Sequence, residues 1–228
     1  GISLDERLRK NGKMKLEAAA DIMLQLCDAV QTLHEHIPPV YHLDLKPSNM
    51  ILTEDGIKLI DFGSALYGEP ELSARTGTPG FSAPEQMNGE AVDERSDIYG
   101  LGAVFYTMLC GKGPEKDLKE NKKQMRKLSK EIRGIIEHTM HEKREERLAN
   151  VPELRRALFL AMEQHAGGVI RKRMKILPGI VLTAVSAGTV YGINAEHITE
   201  WKQLLAAGLM MLICFIWFRA NGKTDRKR

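Results

Sequence analysis

The sequence predicts a mainly helical α+β globular part with one short β-hairpin region, followed by two transmembrane helices. Three observations support this fold class. Apolar residues recur at helical spacing between Leu16 and His34, two short β-like runs flank an Asp-Gly turn, and two uncharged apolar stretches lie near the C-terminus. No parallel sheet is expected.

The composition is that of a folded protein without a bulk affinity for polyanions. The 228 residues include 33 basic and 30 acidic side chains, and 43% are hydrophobic. This near balance of charge predicts no nucleic-acid partner. The three cysteines show no CxxC spacing, so neither a zinc knuckle nor a disulfide framework is indicated, and a reducing compartment fits best.

Four elements of the globular part are predicted in chain order. A helix with one buried face spans 16–34, and its apolar positions are Leu16, Ala19, Ala20, Met23, Leu26, Cys27, Val30 and Leu33. A hairpin joins the runs 50–53 and 57–60 through Glu54, Asp55 and Gly56. The run 98–110 is apolar on all sides and too short to span a bilayer, which predicts a buried helix. The region 112–130 is charged helix with a basic stripe.

The basic stripe of region 112–130 has two interpretations. A solvated helix face is the ordinary one, and contact with anionic lipid or an acidic substrate is the sharper alternative. Its cations are Lys119, Lys122, Lys123, Arg126, Lys127 and Lys130.

The C-terminal quarter predicts a membrane hairpin. A spanning helix needs about 20 apolar residues, and the stretches 176–193 and 204–218 contain no charge. Basic residues flank the pair on both outer sides, which favours a cytoplasmic location for both ends. The alternative is two buried helices of a soluble domain.

The predicted organisation therefore has six parts: a globular domain (1–168), a basic juxtamembrane linker (169–175), a first transmembrane helix (176–193), an external loop (194–203), a second transmembrane helix (204–218) and a basic cytoplasmic tail (219–228). The expected location is the cell membrane, as a multi-pass protein whose globular part is cytoplasmic. Membrane lipid is then an expected partner.

The residues with the clearest chemical meaning lie at the two ends of the predicted hairpin. Before it stands HLDLKPSN, with Asp44, Lys46 and Asn49, and after it stands DFG, with Asp61. If they converge, these side chains offer a carboxylate to orient a hydroxyl, a cation for a transferred phosphoryl group and hard oxygen ligands for Mg²⁺.

These motifs resemble the eukaryotic-type protein kinase family. HLDLKPSN is similar to its catalytic loop, DFG to its metal-binding motif, and Ala83-Pro84-Glu85 to the motif that closes its activation segment. The resemblance covers residues 1 to about 165 and implies a kinase-like large lobe.

The resemblance also implies roles for individual residues. Asp44 would be the catalytic base, Lys46 would neutralise charge on the γ-phosphate of ATP, and Asn49 and Asp61 would hold Mg²⁺. Thr78 in GTPGFSAPE joins the catalytic set, and together with Lys46 it is similar to the serine/threonine branch of the family.

Four further assignments by resemblance are structural. His42 would brace the metal-binding motif, Glu85 and Arg147 would form a buried ion pair that anchors the activation segment, and Asp97 would hold the backbone of the catalytic loop.

Two departures from the family pattern affect the expected function. Leu43 occupies the position of an arginine that usually receives a phosphate from the activation segment, and leucine cannot make that contact. In addition, no glycine-rich phosphate loop and no strand lysine with its helix glutamate precede the catalytic loop. The chain is therefore expected to be a C-terminal lobe without its N-terminal lobe.

Two functions are compatible with these residues. The first is a membrane-anchored serine/threonine protein kinase that phosphorylates protein Ser and Thr hydroxyls with Mg-ATP. It would be present here as a C-lobe fragment, inactive until an N-lobe segment or a partner completes it. The alternative is a lobe-only pseudokinase that acts as a membrane-tethered binding or signalling module.

Overall fold

The structure, a computed structural model, describes residues 1–68, 77–114 and 118–166. The chain divides into two units, Gly1–Gly168 and Val169–Arg228. The predicted linker (169–175), membrane helices (176–193 and 204–218), external loop (194–203) and tail (219–228) lie outside the described residues. In the part of the chain that the structure describes, no helix has the length and apolar character needed to cross a bilayer.

The first unit is a mixed helix and sheet fold with small sheets. Its helices are α1 (Leu4–Asn11), α2 (Leu16–His34), α3 (Pro84–Asn88), α4 (Glu94–Cys110), α5 (Leu118–Met125), α6 (Lys130–Thr139) and α7 (151–166). Its strands are β1 (Ile2–Ser3), β2 (Val40–Tyr41), β3 (Met50–Thr53), β4 (Gly56–Leu59) and β5 (Leu66–Tyr67). Two short 3₁₀ turns span Pro47–Asn49 and Arg144–Glu146.

All strand pairs among the described residues are antiparallel. One sheet has the order β1-β3-β4, and β2 pairs with β5 in a second, two-stranded sheet. The predicted hairpin is confirmed, but its second strand begins one residue earlier, at Gly56. Gly56 pairs with Thr53, whose hydroxyl donates a hydrogen bond of 2.9 Å to the Gly56 carbonyl, so the turn is tighter than expected.

The core is built around α4. This helix is buried on nearly every side and packs against both α2 and α6. The predicted helix 16–34 is confirmed as α2 with the same bounds. The predicted buried helix 98–110 is confirmed as the end of α4, which starts four residues earlier because Asp93 caps its N-terminus and accepts a hydrogen bond from Arg95 N.

Two glycines allow neighbouring elements to approach α4 closely. A Cβ at Gly100 would meet Leu45 Cβ at 2.9 Å, and a Cβ at Gly102 would overlap the side chain of Thr139 on α6. The backbone of α4 therefore touches both the segment that follows β2 and the helix on its other side.

The charged region after α4 differs from the single helix expected over 112–130. Helix α5 ends at Met125, and α6 begins at Lys130. Ser129 separates them because its hydroxyl accepts a hydrogen bond of 3.3 Å from Ile132 N and caps α6.

Candidate active site

The loop between β2 and the first 3₁₀ turn is held by a buried carboxylate of α4. The two Asp97 oxygens accept hydrogen bonds of 2.8 Å from the backbone N–H groups of His42 and Leu43. Leu43 has φ +60, a left-handed conformation that costs a non-glycine residue about 1–3 kcal/mol. These bonds stabilise that conformation and so fix the direction in which the loop continues to Asp44.

A third hydrogen bond links Asp97 to the end of α2. His34 Nε2 lies 2.8 Å from Asp97 Oδ2, and both side chains are buried. Because a carboxylate only accepts hydrogen bonds, His34 is the donor in this pair. Helices α2 and α4 and the loop thus meet at one carboxylate.

The side chain of Asp44 is the centre of a polar cluster. Its Oδ2 accepts hydrogen bonds from Lys46 Nζ at 2.7 Å and from Asn49 Nδ2 at 2.8 Å. Its Oδ1 accepts from the Thr78 hydroxyl at 3.2 Å, and Lys46 Nζ also lies 3.2 Å from Thr78 Oγ1. The structure therefore brings together four of the five predicted site residues, Asp44, Lys46, Asn49 and Thr78.

The fifth predicted site residue, Asp61, follows strand β4 at the edge of this cluster. Ile60 N donates a hydrogen bond of 3.0 Å to the Asn49 carbonyl, which places the start of the DFG motif beside Asn49. Asp61 has φ +65 and is exposed, and its Oδ1 accepts a hydrogen bond of 3.3 Å from Gly63 N. The described contacts do not include a hydrogen bond between the Asp61 side chain and Asp44.

The chemistry of Asn49 and Asp61 fits a magnesium ion. Asn49 uses its Nδ2 on Asp44, and its amide oxygen accepts only a long hydrogen bond of 3.4 Å from the Ser48 hydroxyl, so this oxygen can serve as a ligand. The exposed Asp61 carboxylate offers two more oxygens. Among the described residues, no group of three or more His, Cys, Asp or Glu side chains could hold a metal. Mg²⁺ typically takes one or two carboxylates from the protein and completes its shell with waters and substrate phosphates, which is the kind of ligand set that Asn49 and Asp61 would supply.

His42 contacts the DFG motif through its ring. The rings of His42 and Phe62 lie 4.9 Å apart between centroids, and His42 itself is fully buried. Its Nδ1 lies 3.4 Å from Asp44 N, and its Nε2 has no hydrogen-bond partner among the described residues. This placement matches the bracing role expected for His42.

The expected ion pair between Glu85 and Arg147 is present and buried. The guanidinium donates two hydrogen bonds to the Glu85 carboxylate at 2.7 and 2.8 Å, and the Ser96 hydroxyl donates a third at 2.7 Å. Burial raises the pKa of Glu85, but the hydrogen bonds from Arg147 and Ser96 outweigh it and hold the pKa below its usual value. The pair fixes α3, which follows Ala83, against the segment before α7.

Leu43 lies in a small apolar cluster. It is 5% exposed and packs with Tyr41 and Val92, and with Leu66 of β5. Because β5 follows the DFG motif and pairs with β2, this cluster joins the start of the segment after DFG to the loop that carries Asp44. An apolar contact thus occupies the place where the family resemblance leads one to expect a phosphate-binding arginine.

Three positioning residues were missed in the sequence. Gln86 is 3% exposed, and its Nε2 donates a hydrogen bond of 2.8 Å to the Leu43 carbonyl. Ser82 Oγ accepts a hydrogen bond of 2.8 Å from Thr78 N, and His34 contacts Asp97 as described above. The contacts of Gln86 and His34 cross more than 40 positions of the sequence, so no local pattern could reveal them.

Comparison with known proteins agrees with this geometry. The profile of the protein kinase domain matches residues 1–176. The chain is 36% identical over 121 residues to the probable serine/threonine-protein kinase PknB of Corynebacterium glutamicum, and 38% identical over 116 residues to serine/threonine-protein kinase A of a Synechocystis species. It is 31% identical over 179 residues to serine/threonine-protein kinase Pkn1 of Myxococcus xanthus.

These matches differ in the share of each chain that they cover. They cover 50%, 44% and 68% of this chain, respectively. They cover only 18%, 22% and 26% of the corresponding relatives, so the chain spans about a quarter or less of the proteins it matches.

Proposed function

Because the chain belongs to the protein kinase family, we propose that it carries the catalytic loop of a serine/threonine protein kinase. The reaction is transfer of the γ-phosphate of ATP to a Ser or Thr hydroxyl of a protein substrate. The observation that carries the proposal is the cluster in which the Asp44 carboxylate is hydrogen-bonded to Lys46, Asn49 and Thr78. The relatives described above are named as kinases of this class.

The cluster suits the proton and charge transfers of this reaction. A substrate hydroxyl that binds at Asp44 is oriented by the carboxylate, which accepts its proton as the new P–O bond forms and the bond to ADP breaks. Lys46, held 2.7 Å from Asp44, places a positive charge where the transferred group carries negative charge. Mg²⁺, when bound by Asn49 and Asp61, neutralises the phosphate oxygens of ATP.

We further propose that other residues complete the ATP site. The sequence 1–228 contains no glycine-rich phosphate loop, so the groups that cover the second face of ATP would come from another segment or from a partner. Residues 176–193 and 204–218 would anchor the lobe to the cell membrane, with the lobe on the cytoplasmic side.

Phosphate transfer tests the proposed reaction. Membranes that carry the longest protein encoded by the gene are incubated with Mg-ATP, and phosphoserine and phosphothreonine are quantified. We expect Asp44→Asn to lower the rate by about 10²–10⁴-fold, because it removes the base. Asp55→Asn, in the exposed turn between β3 and β4, is the matched control and should leave the rate unchanged. Absence of transfer by every form of the protein would overturn the proposal in favour of a binding module.

Two further measurements test the ATP site and the anchor. Calorimetric titration of chain 1–228 with Mg-ATP should show little binding, whereas binding that is lost in Asp61→Asn would show that this chain completes a nucleotide site alone. Protease added to the outer face of the membrane should spare both the lobe and the tail. Cleavage of the tail from outside would refute the proposed topology.

A further inference from the structure

Helix α5 and the start of α6 present a cluster of exposed cations. Residues 121–130, NKKQMRKLSK, contain five basic side chains and no acidic one. All five are exposed. Four of them, which we call the basic patch, lie on consecutive turns and the short connection between the two helices: Lys122, Arg126, Lys127 and Lys130.

The helices that carry the basic patch are packed against the core of the protein. Met125, beside Arg126, is 4% exposed and belongs to the main core. Asn121 is 7% exposed, and its Oδ1 accepts a hydrogen bond of 3.2 Å from the hydroxyl of Tyr106 on α4. On the other side, Ser129 caps α6 and Ile132 is 1% exposed. These contacts hold both helices that carry the cations against the core.

The position of the basic patch points to its partner. Lys130 and Gln164 both line a cavity of about 390 Å³ between α6 and α7. Gln164 lies two residues before the end of the described chain, so Lys130 lies near the last described residues of the first unit. Four more cations, in the sequence RKRMK at 171–175, directly precede that apolar stretch.

We propose that the basic patch is a contact surface for an anionic phospholipid bilayer. The proposal rests on the membrane anchor proposed above, because a tether to the bilayer raises the local concentration of headgroups around the exposed cations. Clustered Lys and Arg side chains next to a membrane segment bind anionic lipids, and each cation contributes. Glu120 and Glu131 flank the segment 121–130 in the sequence, but the four cations of the basic patch outnumber them.

Acylation of lysines measures this contact directly. Chain 1–228 is placed in nanodiscs of phosphatidylcholine alone or of equal parts phosphatidylcholine and phosphatidylserine, and acetylation is quantified for each lysine by mass spectrometry. We expect the reactivity of Lys122, Lys127 and Lys130 to fall about threefold or more with phosphatidylserine. High salt should restore it, because the attraction is screened. Lys58 and Lys143, which are exposed elsewhere, should react equally in both lipids.

Two double variants test whether the protection depends on the basic patch itself or only on the total charge of the protein. Arg126→Gln with Lys130→Gln should reduce the protection of Lys122 and Lys127, whereas Lys58→Gln with Lys143→Gln should not. Equal reactivity of the patch in the two lipids would overturn the proposal. Protection by a polyglutamate peptide without protection by lipid would also overturn it and would indicate an acidic protein partner.

Failure of the anchor can be distinguished from failure of the patch. If the chain does not remain with phosphatidylcholine discs after a high-salt wash, the anchor proposal is wrong. The same acetylation is then carried out with added phosphatidylserine vesicles. Protection of Lys122, Lys127 and Lys130 would support the patch without the anchor, and its absence would refute the patch as well.

Discussion

Arg147 is a residue whose loss should clearly destabilise the first unit of the chain. Its side chain is fully buried, and it donates two hydrogen bonds to Glu85 and others to the carbonyls of Arg95, His141 and Glu142. Methionine at this position has a similar volume but no donor, so it leaves a buried carboxylate unpaired. Breaking a buried pair in this way costs about 3–5 kcal/mol. For a domain of this size, the melting temperature should fall by about 6–20 °C.

Urea unfolding followed by far-ultraviolet circular dichroism, in detergent micelles, measures this loss. The matched control is Arg155→Met, because Arg155 lies 2.7 Å from Asp28 in a pair that is more than half exposed. An exposed pair contributes about 0–1 kcal/mol, so the control should change little. The double variant Glu85→Gln with Arg147→Met should be more stable than Arg147→Met alone, since it removes the unpaired charge. If Arg147→Met lowers the free energy of unfolding by no more than the control does, Arg147 is not the buried anchor of α3.

Three further predictions concern single side chains. Because the pKa of Glu85 is lower in the folded state than in the unfolded state, the unfolded chain binds more protons in acid, and stability should fall as pH drops below the usual glutamate pKa. Glu85→Gln should flatten this acid dependence of the unfolding free energy, and an unchanged slope would contradict the assignment. Burial, with a smaller contribution from the charge of Asp28, raises the pKa of Cys27 to about 12, so iodoacetamide should alkylate Cys27 only as the protein unfolds. Alkylation of native Cys27 at the unfolded rate, measured by mass spectrometry, would contradict its burial. Thr78→Val should lower the rate of phosphate transfer by about 10–100-fold, because it removes the hydrogen bond to Asp44, whereas Thr78→Ser should retain most of the original rate. Equal rates in the Val and Ser variants would exclude this positioning role for Thr78.

The parts of the fold that were predictable are those with a local signal. Helix α2 repeats its apolar positions over five turns, and both of its ends were placed correctly. The hairpin was recognisable from Asp55 and Gly56. Strands β2 and β5 contain two residues each, which is too short for an alternating pattern, and they form because the chain returns to the same place after the DFG motif. The first turn of α4 was missed because polar Ser96 and Asp97 are buried there by partners distant in the sequence.

The residues of the candidate site were also predictable from the sequence only where their signal is local. Asp44, Lys46 and Asn49 lie within six residues, so their convergence followed from their spacing. Thr78 joins them from 34 residues away, and it was placed in the set only through the family resemblance. Gln86 carried no signal, because a single glutamine in a five-residue helix does not reveal a contact with the Leu43 carbonyl.

The close packing around Gly100 and Gly102 limits the substitutions that α4 can accept. Since Leu45 and Thr139 contact the backbone of α4 directly, any larger side chain at either glycine would push the loop or α6 away from the helix. That displacement would reach Asp44 through Leu45, which is only one residue from it. A saturation mutagenesis map should therefore show two intolerant glycines in the middle of a helix, where helix propensity alone would favour alanine.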